Sequence, residues 1–170
     1  MKNIFLVGMP SSGKTTLGKQ LAKSIGYTFV DMDDMIQQRE LMTVPEIFKL
    51  KGEAYFREVE NKVLKSIEPS TKLVIATGGG APCFHEGISY INAHGTSIFL
   101  NVGPEELAKR IAASSGNNRP LINKNTSWDN LVADLTQRYE SRLQYYNQAH
   151  LKVNGTIDVE QLLWLLEGLI

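Results

Sequence analysis

With 170 residues, 42% of them apolar and 21% charged, the chain has the composition of an ordinary soluble globule and enough length for one domain with a sizeable core. Lys and Arg number 18, as do Asp and Glu, and a formal charge of zero argues against a protein built to coat nucleic acid, which carries a basic excess. A single cysteine, Cys83, rules out an internal disulfide and points to a reducing cytoplasm, and no stretch approaches the roughly 20 apolar residues of a membrane span.

Ile4-Phe5-Leu6-Val7 is a short apolar run that reads as a buried strand; it stops at Pro10 and Lys14, too early for a signal peptide. Gly8-Met9-Pro10-Ser11-Ser12-Gly13-Lys14-Thr15-Thr16 follows and fits G-x-x-x-x-G-K-[ST], the phosphate-binding P-loop. Gly8 and Gly13 let backbone N–H groups turn inward onto anionic oxygens. Lys14 brings a mobile charge to the β- and γ-phosphates, Thr15 offers a hydroxyl to Mg²⁺, and the next helix adds its positive N-terminal end. Gly8, Ser11, Ser12, Gly13, Lys14, Thr15 and Thr16 are the candidate nucleotide ligands. Thr16–Ile25 behind them is helical, with Leu17, Leu21 and Ile25 four apart and Gly26 as its C-cap.

Tyr27-Thr28-Phe29-Val30 forms the second strand, ending at Asp31, and Asp31-Met32-Asp33-Asp34 opens a helix to about Glu40. Either Asp31 or Asp33 suits an N-cap. Beside a P-loop, Asp31 also suits Mg²⁺ through water, and Asp33 suits the proton of an acceptor hydroxyl. Thr43 with Glu46 makes a capping box for a short helix to Leu50, broken at Gly52; Glu53–Ile67 is a further helix with a stripe of Tyr55, Phe56, Val59, Val63, Leu64 and Ile67. Arg57 lies there with Glu53 four before it and Glu60 three after it. That spacing fits an exposed ion-pair ladder. The apolar residues around it fit the edge of a core, where a guanidinium fork suits a carboxylate.

Lys72–Ala76 is a third strand, continuously apolar and so buried on both faces, and Gly78-Gly79-Gly80 at its end implies close approach of backbone to a ligand. His85–Asn92 is a short helix, Thr96–Val102 a fourth strand, Pro104–Ala113 a helix, and Ser114–Thr126 a polar loop poor in apolar anchors, read as a mobile lid. Trp128–Asn147 is a long helix that carries Arg138 and Arg142 four apart on one face. Leu151–Val153 is the fifth strand and Val159–Ile170 a closing helix. The tryptophans and methionines read as packing, the three histidines as structural or surface. Strands alternating with helices imply a parallel sheet covered on both faces, an α/β fold whose ligands sit beyond the carboxyl ends of the strands. Residues 1–170 form one domain, with an acceptor region at about 32–60 and the lid at about 114–126.

In this order the motifs resemble those of the shikimate kinases, P-loop kinases of aromatic amino-acid and chorismate biosynthesis. Phe29-Val30-Asp31-Met32-Asp33 is similar to the family's F-x-D-x-D and Gly52–Glu60 to its G-E-x-x-F-R-x-x-E. Gly78–Gly80 matches its triple glycine, Arg119-Pro120-Leu121 its lid motif, and Arg142 with Tyr146 its R-x-x-x-Y. The resemblance implies a three-layer α/β/α sandwich of P-loop NTPase type, with five parallel strands in the order 2-3-1-4-5. It also implies transfer of the γ-phosphate of ATP to the 3-hydroxyl of shikimate. Asp33, Arg57, Glu60, Gly78, Gly79, Gly80 and Arg142 would form the shikimate site, with Arg57 and Arg142 clamping its carboxylate and Glu60 holding Arg57. Lys14, Asp33 and Arg119 would be catalytic, and Arg110 and Arg119 would contact the nucleotide, Arg110 against the adenine. Thr15 and Asp31 would hold Mg²⁺. Val153-Asn154-Gly155-Thr156 lacks the family's adenine-loop pattern, so no base-binding residue is assigned there. A cytoplasmic monomer with no nucleic-acid or membrane partner is expected. Two alternatives use the same loop: a kinase of another small hydroxy acid such as gluconate, and a regulator that binds ATP without transferring phosphate. Neither Asp33 nor Arg119 would be needed by the regulator.

Overall fold

The computed structural model describes residues 2–114 and 127–167. Strands β1 (Asn3–Val7), β2 (Thr28–Asp31), β3 (Leu73–Ala76), β4 (Gly95–Asn101) and β5 (Leu151–Asn154) alternate with helices α1 (Lys14–Ile25), α2 (Met32–Glu40), α3 (Val44–Lys65), α4 (Gly87–His94), α5 (Pro104–Ala113), α6 (Trp128–Tyr146) and α7 (Val159–Leu166). A helix between successive strands forbids hairpins, and every strand pair is parallel, in the order β2-β3-β1-β4-β5. Strand β1 is central and wholly buried, and its alternate residues face opposite layers. Ile4 and Leu6 pack with Leu17, Leu21, Leu162 and Leu166 of α1 and α7. Phe5 and Val7 pack with Met32, Phe56, Ile91, Leu107 and Tyr146 from the helices of the other face. The three-layer sandwich and strand order are those the resemblance implied.

Local signals explain most boundaries. Thr43 and Glu46 form the capping box of α3, with the Glu46 carboxylate accepting from the Thr43 backbone N–H at 2.7 Å. Gly52 breaks that helix at φ 83° and ψ 171°, a conformation β-carbon-bearing residues avoid. Several placements differ from the sequence reading. Strand β1 begins at Asn3, whose buried amide donates to Glu68 O at 2.7 Å and accepts from the N–H of Thr71 and Leu73, pinning the turn before β3. Helix α4 begins at Gly87, because His85 and Glu86 both take left-handed backbone angles. Trp164 is 72% exposed on α7 and Trp128 46% exposed at the start of α6, so neither tryptophan serves as core packing. No helix among the described residues is long and apolar enough to cross a membrane.

Candidate active site

The carboxyl ends of β1, β2 and β3 open onto one cavity of about 950 Å³. The loop between β1 and α1 forms its floor. A β-carbon on Gly8, at φ 145°, would stand 2.8 Å from Leu100 O, so only glycine lets the loop lie this close to β4. Lys14 is buried, and its Nζ donates to Gly8 O at 2.9 Å and Met9 O at 2.8 Å. Thr15 Oγ1 donates to Asp31 Oδ2 at 2.9 Å, and Asp31 Oδ1 accepts from the Asp33 N–H at 3.0 Å. The N-cap of α2 is therefore Asp31, which leaves Asp33 without a capping role. The exposed Thr15 hydroxyl and Asp31 carboxylate fit Mg²⁺, a hard cation that takes one or two protein oxygens, directly or through water, and completes its shell with water and phosphate.

Arg57 is 6% exposed, which decides against the exposed ladder, although both predicted partners are present: Nη1 donates to Glu60 Oε1 at 2.8 Å and Nη2 to Glu53 Oε1 at 3.2 Å. Burial pushes the Glu60 carboxyl above its ordinary range, and the Arg57 charge works against that. Glu60 Oε2 and Arg57 Nε are buried with no partner among the described residues, so the pair enters the cavity wall with hydrogen-bonding capacity left over.

The three glycines prove to be about space more than backbone angle, since none has a positive φ. A β-carbon on Gly78 would lie 2.5 Å from Glu60 Oε2 and 3.5 Å from Asp33 Oδ1. One on Gly79 would lie 2.9 Å from Arg142 Nη1, and one on Gly80 would run into the Arg57 guanidinium. The bare backbone thus lets Asp33, Glu60, Arg142 and Arg57 converge on one segment. The ligand approach expected from sequence is preceded by approach of the chain's own side chains.

Several contacts of the site join segments that no sequence spacing pairs. Tyr146 is fully buried and donates from its hydroxyl to Gly79 O at 2.6 Å, and burial pushes its phenol well above the ordinary tyrosine range. Met9 Sδ stands 4.0 Å from Arg142 Nη1 and 3.9 Å from the Tyr146 hydroxyl, joining the P-loop to α6. Arg110 is held over the P-loop by three bonds: Nε to Glu106 at 3.1 Å, Nη1 to Ser11 O at 3.2 Å and Nη2 to Thr156 Oγ1 at 2.8 Å. Arg138, which the sequence placed four residues before Arg142 on one helix face, lines the cavity half-buried; desolvation first, then the charge of Arg142, lowers its pKa. Arg119 and residues 115–126 lie outside the described residues.

Cys83 sits half-buried behind Gly79 O, and burial pushes its thiol up to about 11. Against the ordinary thiol value of 9.0, this leaves about a hundredfold less thiolate near neutral pH, and the thiolate is the reactive form. Iodoacetamide is expected to alkylate the native protein at pH 8 far more slowly than the denatured chain. Equal rates by mass spectrometry would show the thiol to be solvated.

A phosphate-cradling loop that opens into an arginine-walled cavity with a carboxylate at its centre is the architecture of a P-loop kinase acting on small anionic acceptors. A family model for shikimate kinase matches residues 10–163. The shikimate kinase of Parabacteroides distasonis is 40% identical over 163 residues, 96% of this chain and 91% of that one. A solved structure of shikimate kinase from Bacteroides thetaiotaomicron superposes with a TM-score of 0.89 at 36% identity, covering 98% of this chain and 97% of that one. Shikimate kinase from Acinetobacter baumannii in complex with shikimate gives 0.88 at 30% identity, over 99% and 94%. The chain belongs to the shikimate kinase family.

Proposed function

We propose that the chain transfers the γ-phosphate of ATP to the 3-hydroxyl of shikimate, giving shikimate 3-phosphate and ADP. The observation that carries this reading is the convergence of Arg57, Arg142 and Asp33 on Gly78–Gly80, in the cavity that Lys14 also lines. Lys14 holds the phosphates, Asp33 orients or deprotonates the acceptor hydroxyl, and Arg57 with Arg142 takes the carboxylate. Thr15 and Asp31 would hold Mg²⁺, which would supply charge neutralisation on the phosphate oxygens. Arg110 meets the nucleotide base, and Arg119 supplies a further cation for the phosphoryl group. The enzyme works as a cytoplasmic monomer.

Coupled-assay turnover with shikimate, gluconate and no acceptor tests the reading. Turnover on gluconate alone selects the other hydroxy-acid kinase, and ATP binding without turnover on any acceptor selects the regulator. Arg57 needs a careful variant, because alanine would leave Glu60 buried without its cation. Arg57→Gln keeps an N–H donor for Glu60 and removes the charge. A charge-assisted bond contributes roughly 1.5–3 kcal/mol, so the shikimate KM is expected to rise about tenfold to a hundredfold with little change in the ATP KM. An unchanged shikimate KM would remove Arg57 from the clamp.

A further inference from the structure

Phe84 is 40% exposed, which is unusual for a phenylalanine next to so much buried apolar surface. Its ring lies under a buried cation: Arg57 Cζ stands 4.4 Å above the ring centroid. Phe56 offers the same guanidinium a second ring at 5.3 Å. The backbone that delivers Phe84 is costly to form. His85 and Glu86 follow at φ 51° and 59°, two successive residues in the left-handed region, where side chains with a β-carbon are disfavoured. Gly87 N–H donates to Phe84 O at 2.9 Å, and a β-carbon on Gly87 would collide with Ala81 O, so the loop folds back on itself only with glycine there. Such conformations persist where the surroundings over-determine them, often at ligand sites.

Arg57 gives this loop something to do. Its bonds to Glu60 and Glu53 engage two of the five guanidinium N–H groups, and Nε has no partner among the described residues. Two point contacts let the planar group pivot. A ring against its face resists the pivot by cation–π attraction and leaves the edge, where the N–H groups lie, open to a planar carboxylate. We infer that Phe84 is a positioning residue of the acceptor site: its ring fixes the plane of the Arg57 guanidinium and thereby sets the affinity for an anionic acceptor. This rests on Arg57 being an acceptor-carboxylate residue.

The test compares Phe84→Leu, Phe84→Met and Phe84→Tyr, alone and with Arg57→Gln, by shikimate KM, ATP KM, kcat and Tm. Leu and Met keep apolar bulk and lose the π face; Tyr keeps both. Phe84→Leu and Phe84→Met are expected to raise the shikimate KM about fivefold to tenfold, with kcat, ATP KM and Tm near the parent values. Phe84→Tyr restores the parent KM, and Phe84→Leu adds nothing once Arg57→Gln has removed the cation. A parent-like shikimate KM for Phe84→Leu beside a raised one for Arg57→Gln overturns this inference and leaves the clamp standing. An unchanged KM in Arg57→Gln overturns the clamp and the inference together. A fall in Tm with both substrate KM values rising alike assigns Phe84 to loop folding and overturns the inference as well.

Discussion

Asp33→Asn is expected to lower kcat by about two to four orders of magnitude while the fold and the ATP KM survive. The geometry makes this a clean experiment. Helix α2 takes its cap from Asp31, whose carboxylate accepts the Asp33 N–H at 3.0 Å, so the Asp33 side chain is not what starts the helix. It faces Gly78 together with Glu60, on the wall of the cavity. Asparagine matches aspartate in shape but cannot accept a proton in the same way. A residue serving only as polar helix surface predicts native turnover in the variant. Circular dichroism and kcat on one sample decide: a folded Asp33→Asn enzyme with near-native kcat would remove Asp33 from the chemistry.

Lys14→Ala is expected to cost about a thousandfold in kcat, the upper end for loss of one pre-organised donor to developing charge. It is also expected to lower Tm, which its sequence motif alone does not suggest. Lys14 Nζ is buried and holds the carbonyls of Gly8 and Met9. Alanine removes the donor from both, and each neutral acceptor that loses a charged donor forfeits on the order of 1.5–3 kcal/mol before water replaces it. Turnover is therefore compared at temperatures where thermal melts show both proteins folded. Native MgATP turnover in that variant would refute the phosphate role of the loop.

The legible parts of this chain were those whose signals are local. Gly8–Thr16 between an apolar run and an i, i+4 leucine pattern located the floor of the cavity. Thr43 with Glu46 located the start of α3, and Gly52 its break. Arg57 was ambiguous for a physical reason: glutamates at −4 and +3 fit a solvated face, and Phe56 and Val59 fit a core, and only the packing of α3 against the 78–80 segment chose between them. Tyr146 on Gly79, Arg110 on Thr156 and Phe84 on Arg57 are contacts between segments far apart in the chain, for which no spacing rule exists. Asn3 was invisible because an amide that satisfies a distant turn looks, in sequence, like any polar residue beside a strand. Trp164 erred the other way, since a large apolar side chain is not obliged to be covered.

The tripeptide Gly78-Gly79-Gly80 constrains how this enzyme can be redesigned or can drift. Each glycine is a negative image of side chains from other elements: Glu60 for Gly78, Arg142 and Pro10 for Gly79, Arg57 for Gly80. Alanine at any of the three forces the opposing side chain to move or shorten, and at Gly79 the Pro10 ring stands as close as Arg142. Shortening Arg57 or Arg142 first opens a gap that no single methyl fills. Acceptance of a bulkier or uncharged acceptor is therefore reached through coupled pairs of changes rather than single ones, and a library that varies residues 78–80 with positions 57, 60 and 142 fixed will return mostly inactive chains.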